Sequence, residues 1–350
     1  MLEADVEVDR REFTLRAAIS VAPGDRLALF GPSGAGKTTL LETIAGLVQP
    51  RRGRVTLAGR VLTSTEPPYA AVPAWRRQVG LLRQDPGLFP HLSVSDNLTY
   101  ARSADPSAAE LAELADALGI GALLWAMPAR LSGGQQHRVA LGRLLLAHCR
   151  ALLLDEPYSG LDAVLRRALT ALVVRMVTER DVPSVLVAHE LADAQAFANR
   201  MAVLDEGAVL QVGGPDEVVL RPASRRVAEL VGYLGFVPVA GDRPGCVGGI
   251  HPDRVLAGAV PRKGEVFSGA VIACRPSGVS WEVDVLVAGA TVTCRLADRP
   301  VTDGGKLVLT AIDPPVFGPD GVAVQATGTK APSAGSPQPA GESGGGSGGQ

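Results

Sequence analysis

Between Arg26 and about Gln211 the chain repeats one pattern: a short, almost wholly apolar run, then a longer stretch with apolar residues at helical spacing. The runs are "RLALF", "ALLLDEP", "SVLVAHE" and "MAVLDEG", and they close on a glycine turn, on acids or on a histidine. Apolar runs of this length between helices predict parallel strands buried on both faces of an α/β sheet. In such a sheet the reactive side chains gather beyond the carboxyl ends of the strands. Residues 105–126, rich in Ala and Leu at helical spacing, stand outside the alternation and predict a helical insertion.

From about Gly241 the texture changes. Gly, Pro and Val become frequent, and "VSWEVDVLV" and "ATVTCRL" alternate in polarity, which predicts half-buried strands of a small β domain. Residues 328–350 are Gly-, Ser- and Pro-rich and are predicted to be disordered. The length of 350 residues allows two domains at roughly 150 residues each. A net charge of −2, with arginines spread along the chain, advertises no polyanion-binding patch, so nucleic acid is not an expected partner. Four cysteines without CxxC spacing and a polar, charged opening without a leader pattern fit a reducing, cytosolic setting. No apolar run approaches the ~18 residues of a spanning helix, so any membrane role is expected to be peripheral.

"GPSGAGKTT" follows "RLALF" and precedes the helical "TLLETIAGL", the context that a GxxxxGK[ST] phosphate loop requires. Gly31, Pro32, Ser33, Gly34, Ala35, Gly36, Lys37, Thr38 and Thr39 are therefore the candidate nucleotide-binding set. The glycines let backbone N–H groups turn onto phosphate oxygens, and the helix N-terminus adds partial positive charge. Lys37 reaches the β- and γ-phosphates, and Thr38 is a candidate Mg²⁺ ligand. "ALLLDEP" delivers Asp155 for the Mg²⁺ shell and Glu156 to orient or deprotonate the attacking water. Alone, that pair reads as a strand ending in a solvated acidic turn; beside a phosphate loop it reads as hydrolytic. "LSGGQQHR" places Ser132, Gly133, Gly134 and Gln135 at a second helix N-terminus that has no lysine of its own. A nucleotide held between Lys37 of one copy and this segment of another makes the site composite and demands a homodimer.

With these motifs in this order, the chain resembles the nucleotide-binding subunit of ABC transporters, whose signature sequence is LSGGQ; the resemblance covers roughly Met1 to Ser224. It implies a P-loop ABC ATPase domain over residues 1–235, a mostly parallel sheet plus a helical subdomain at about 85–131, with ATP and Mg²⁺ as ligands. It further implies that Gln84 in "LLRQDPGLFPH" senses Mg²⁺ and the permease and joins Glu156 and His189 in catalysis. His189 would contact the γ-phosphate, and Asp162 in "SGLD" would contact ATP across the dimer together with Ser132 to Gln135. Metal ligands would be Thr38, Gln84 and Asp155. Two segments depart from the family pattern: Arg83 stands where Phe commonly precedes the glutamine, and "AHE" stands for "THD". Phe13, 24 positions before Lys37, is read as a core strand residue rather than as the stacking partner of adenine.

"LFPHLSVSDNLTYA" resembles the importer branch, which implies a permease dimer docked near residues 84–100, an extracytoplasmic solute-binding protein and a place on the cytoplasmic face of the cell membrane. "CVGGIHPDRV", with His251 where Arg is usual, and the strands after it resemble the small TOBE barrel, at residues 241–327. That fold buttresses the dimer in some members and binds an oxyanion in others; the structural role is expected first. "GRVLTS" and "FPHLSVSDNLTYA" most resemble molybdate ATPases, with sulfate or thiosulfate and iron(III) as alternative cargoes. An oxyanion-sensing regulatory ATPase is the alternative of another class. A small-molecule kinase would have no use for "LSGGQ" or "SGLD", and the gap between Lys37 and Ser132 is too short for the coiled coil or zinc module of a DNA-repair ATPase.

Overall fold

Leu2, Ala4, Val6 and Val8 are buried while Glu3 and Asp5 between them are exposed, so the N-terminal residues form a strand with one face on a core. The computed structural model describes residues 1–11, 13–100, 107–239, 245–258, 260, 264–299 and 305–324. The strand β1 (Leu2–Asp9) pairs antiparallel with β2 (Thr14–Val21) in a register running from Leu2 opposite Val21 to Asp9 opposite Thr14. There follow β3 (Arg26–Phe30), β4 (Arg52–Leu57), β5 (Arg60–Ser64), β6 (Ala70–Ala71), β7 (Val79–Leu82), β8 (Ala151–Asp155), β9 (Ser184–Ala188), β10 (Arg200–Asp205) and β11 (Ala208–Gly213). All eleven form one sheet in the order β6-β5-β4-β1-β2-β11-β10-β3-β9-β8-β7.

The strands β10, β3, β9, β8 and β7 are mutually parallel, as the apolar runs predict, and every residue of β8 and β9 is buried. The half from β6 to β2 is antiparallel, which makes the sheet mixed rather than mostly parallel. The helices are α1 (Lys37–Ala45), α2 (Val94–Thr99), α3 (Ala108–Ala117), α4 (Gly133–Leu146), α5 (Ala163–Arg180), α6 (Leu191–Phe197), α7 (Pro215–Leu220) and α8 (Arg225–Leu230). Leu40, Leu41 and Ile44 of α1 pack with Leu29, Leu153 and Val185 on one face of the sheet. On the other face Leu152, Leu154 and Leu186 meet Leu141 and Leu145 of α4 and Leu169 and Val173 of α5. Alternate residues of each parallel strand thus feed two cores. The expected insertion at 105–126 holds α3 and a 3-10 turn at Gly121–Leu123; the wider stretch 85–131 adds α2 and a 3-10 turn at Pro128–Arg130, and residues 101–106 lie outside the described residues.

Beyond α8 the chain is β. A three-stranded sheet joins β12 (Phe236–Pro238), β13 (Val247–Gly249) and β19 (Val316–Phe317). A five-stranded sheet is ordered β14 (Val255–Ala257), β18 (Lys306–Ile312), β15 (Gly264–Ser277), β16 (Ser280–Val287) and β17 (Ala290–Leu296). Val271, Val283, Val285, Val292 and Leu309 form its core, the inward half of the alternation seen in "VSWEVDVLV" and "ATVTCRL". The predicted disordered stretch, 328–350, and the predicted domain start at 241 lie outside the described residues. Among the described residues no helix is long and apolar enough to cross a membrane.

One buried cation fixes the helix that carries the phosphate loop. Arg77, 1% exposed, donates to the carbonyl oxygens of Thr43 and Ile44 at 3.2 and 2.9 Å, to Val72 O at 2.7 Å and to Thr63 Oγ1 at 2.8 Å. It thereby caps the carbonyl end of α1, where a cation complements the helix dipole. Gly46 ends that helix at φ 86°, and a Cβ there would lie 2.3 Å from Arg77 Nε, so both the conformation and the close approach require glycine. Replacing Arg77 with Met orphans these acceptors and should destabilise the fold by about 3 kcal/mol in a denaturant titration.

Candidate active site

The parallel strands converge their carboxyl ends on one cleft. Strand β3 runs into Gly31, whose φ of 150° and close contact with the Leu204 carbonyl, 2.0 Å from where a Cβ would be, admit no side chain. The loop then turns through Gly34 (φ 83°) and Gly36 (φ 102°) into α1. Lys37, only 5% exposed, folds back so that Nζ donates to the carbonyl oxygens of Gly31 and Pro32 at 2.7 and 2.8 Å. Burial pushes its ammonium pKa down, against the opposing pull of Glu156 and Asp155. The loop is thus already wrapped around its own cation.

The next strand over supplies the acids. Asp155, 2% exposed at the end of β8, accepts the Thr38 hydroxyl on both oxygens, at 3.2 and 3.0 Å. Burial raises its carboxyl pKa, partly offset by that hydroxyl. A hydroxyl and a carboxylate side by side form an all-oxygen donor set, and Mg²⁺ takes one or two such protein groups completed by phosphate and water, so the residues fit the ion. Glu156 sits in the left-handed region at φ 51°, where a non-glycine residue is under strain of the kind found at functional sites. That turn brings its carboxylate against His189 Nε2 at the end of β9, a direct contact between the two strand ends.

A cleft of about 280 Å³ is lined by Ser33, Gly34, Gly36, Lys37, Thr38, Thr39, Gln84, Glu156 and His189, which gathers half of the residues singled out by sequence; Ala35 is buried beside them. Phe13 lines it too. It belongs to no strand: it lies in the turn between β1 and β2, half-buried, with its ring 3.2 Å from where a Cβ on Gly36 would be. The reading of Phe13 as a core strand residue is corrected accordingly, although its inner edge still packs on the core beneath. Its position one residue before β2 was the available signal.

Ser132 to Gln135 and Asp162 are not among the lining residues. Ser132 caps α4, accepting from Gln135 N at 3.3 Å while its own N–H donates to Gln135 Oε1 at 2.8 Å. Nothing lies within 4 Å of a Cβ built on Gly133 or Gly134, so that helix end faces open space. Asp162 caps α5 by accepting from Leu165 N and Val164 N, both at 3.0 Å, and these bonds hold its carboxyl pKa down.

Residues 16–159 match the family described as ABC transporter. An iron(III) import ATP-binding protein of Mesorhizobium japonicum is 43% identical over 63% of this chain and 62% of its own length. A molybdenum import ATP-binding protein of the same organism is 41% identical over 65% and 61%. A sulfate/thiosulfate import ATP-binding protein of Chromobacterium violaceum is 40% identical over 67% and 64%. The matched chain therefore spans less than two thirds of these relatives. A solved dimeric ATP-binding cassette, MJ0796, in a post-hydrolysis state with ADP and phosphate superposes with a TM-score of 0.52 at 24% identity, covering 61% of this chain and 99% of that one. Family match and cleft agree with that superposition: residues 16–159 match the ABC transporter family and lie within an ATP-binding-cassette fold followed by an all-β region.

Proposed function

We propose that the chain is the ATP-hydrolysing subunit of an ABC importer, and that two copies close on ATP to drive uptake of a small inorganic solute. One observation carries this reading: the phosphate-binding groups are split between a complete loop around Lys37 and a separate helix N-terminus at Ser132 to Gly134 that does not line the same cleft. The positive end of a helix dipole with open space before it suits an anion brought by another molecule.

In this reading the amides of Gly31 to Thr39 and Lys37 hold the triphosphate, and the Phe13 ring offers a face to the base. Thr38, Asp155 and Gln84 would hold Mg²⁺, which when bound neutralises charge on the β- and γ-phosphates. Glu156 orients the water and takes its proton, and His189 turns to the γ-phosphate. Ser132, Gly133, Gly134, Gln135 and Asp162 meet the ATP of the partner copy. Most of the rate then comes from holding phosphorus, metal and water in line. The permease would dock on the groove of about 390 Å³ between Arg83, Phe89, Tyr100, Arg143 and Leu144. There Arg143 donates to the Gly87 and Pro86 carbonyls, both at 3.0 Å, and ties the segment after Gln84 to α4. This would seat the subunit on the cytoplasmic face of the membrane, with a solute-binding protein on the other side.

We assign residues 1–235 to the ATPase domain and 241–327 to a TOBE-like domain that braces the dimer or takes up an oxyanion. Molybdate is the cargo suggested by "GRVLTS" and "FPHLSVSDNLTYA". Iron(III) and sulfate or thiosulfate are the second reading, supported by relatives so named at 43% and 40% identity, on either side of the 41% of the molybdenum one. The three lie close together because this surface meets ATP and permease, not cargo. The composite site is tested by the order of reaction in protein. Below the dimer dissociation constant, the initial hydrolysis rate should rise with about the square of chain concentration. A rate per chain that stays constant on dilution would mean that one copy is complete.

A further inference from the structure

Behind Glu156 lies a second, smaller cavity of about 130 Å³, lined in part by Glu156, Tyr158, Arg166, Ala188, His189 and Asp193. Glu156 and His189 line the nucleotide cleft as well, so this contacting pair is the partition between the two spaces. Two buried polar atoms in the cavity wall lack a hydrogen-bond partner among the described residues: Tyr158 Oη and Arg166 Nε. Tyr158 is 3% exposed, and its hydroxyl leans toward Thr170 without completing a bond. The Thr170 hydroxyl is committed to Arg166 O at 2.9 Å. Arg166 itself is otherwise engaged, with Nη1 on Glu190 Oε2 at 2.5 Å and 3.6 Å from Asp193 Oδ2; its Nε alone is unmatched.

Buried donors are almost always satisfied, and cavities that stay empty are lined by apolar groups. This one has two unmatched donors and the carboxylates of Glu190 and Asp193 as acceptors. At about 30 Å³ per molecule it has room for about four waters. We propose that it is an ordered water site. A small cluster, fixed by donation from Tyr158 Oη and Arg166 Nε and donating in turn to the carboxylates, forms the rear wall of the active site and holds the Glu156–His189 pair in register. Tyr158 and Arg166 are then positioning residues that act through water. The proposal rests on the reading of Glu156 as the group that handles the attacking water.

Ala188 supplies the test, because it forms part of the wall and is 2% exposed. Threonine and valine are nearly equal in volume, so Ala188→Thr and Ala188→Val displace the same water, but only the threonine hydroxyl replaces its hydrogen bonds. We expect Ala188→Thr to turn over about 10-fold faster than Ala188→Val at matched ATP affinity and matched Tm, a split that a purely steric role would not produce. Equal kcat values would overturn the proposal. Should the valine variant fail to fold, Tyr158→Phe gives the second readout, with an expected several-fold loss of kcat at unchanged ATP affinity; an unchanged kcat would overturn it. A crystal structure at about 1.5 Å should show water within hydrogen-bond distance of both Tyr158 Oη and Arg166 Nε, and an empty cavity would also overturn it. The two levels fail separately: normal turnover by Glu156→Gln removes the role of Glu156 itself, whereas an inactive Glu156→Gln with equal Ala188 variants removes the water site alone.

Discussion

Glu156→Gln is expected to bind ATP at least as tightly as the parent chain and to hydrolyse it on the order of 10³-fold more slowly, within the range set by loss of a positioned general base. The amide is the same size as the carboxylate, so the strained turn at the end of β8 and the contact with His189 need not move. What disappears is the acceptor for the proton of the attacking water and one negative charge. That charge stands beside Asp155 and Lys37, where it opposes an incoming triphosphate. Removing it eases binding while disabling attack, so ATP should accumulate and hold dimers together. Equilibrium ATP titration, steady-state phosphate release and gel filtration with ATP measure the three consequences. Turnover at the parent rate would sink the assignment of Glu156 and leave the substrate phosphate to accept the proton.

Most of the parallel half of the sheet was legible because β3, β8, β9 and β10 are buried on both faces and so read as unbroken apolar runs. "RLALF", "ALLLD" and "SVLVA" coincide with β3, β8 and β9. The antiparallel half carries a weaker signal: in "LEADVEVD" only every second residue is apolar, and the acids between them make the segment look like a charged terminus. The phosphate loop and the acids were readable because each lies within a few consecutive residues whose flanks confirm them. Phe13 was misread because its distance from Lys37 along the chain says little about a turn that folds back over Gly36. The cavity behind Glu156 had no sequence signal at all. Its wall takes Tyr158 from the turn after β8, Arg166 from α5 and Ala188 from β9, and only the sheet order brings them together. Cargo is illegible for a related reason, since no residue of this core need touch it.

Gly134→Asp is expected to fold as the parent does and to bind ATP at Lys37, yet to lose hydrolysis by on the order of 10³-fold. Within one copy the change is benign. A Cβ at Gly134 meets nothing within 4 Å, and its φ is not positive. An acid in the first turn of α4 complements the helix dipole, and replacing a helical glycine adds propensity, so stability should rise by up to about 1 kcal/mol. Any loss of activity must then come from what approaches that helix end from outside. A carboxylate about 4 Å from a phosphate oxygen costs about 4 kcal/mol at an effective dielectric of 20, which is the source of the expected factor. Thermal unfolding, ATP titration and phosphate release on the same preparation separate the terms. Unaltered hydrolysis would mean that the N-terminus of α4 never meets a nucleotide, and the closed dimer would lose its physical basis. The contrast with Gly36→Ala sharpens the point: there the new methyl would lie 2.9 Å from Leu15 Cδ1 in a left-handed turn, so the same loss of activity would carry a loss of stability with it. At Gly134, unlike Gly36, the geometry allows function to fail while the fold is untouched, and that dissociation is what a site completed by a second copy requires.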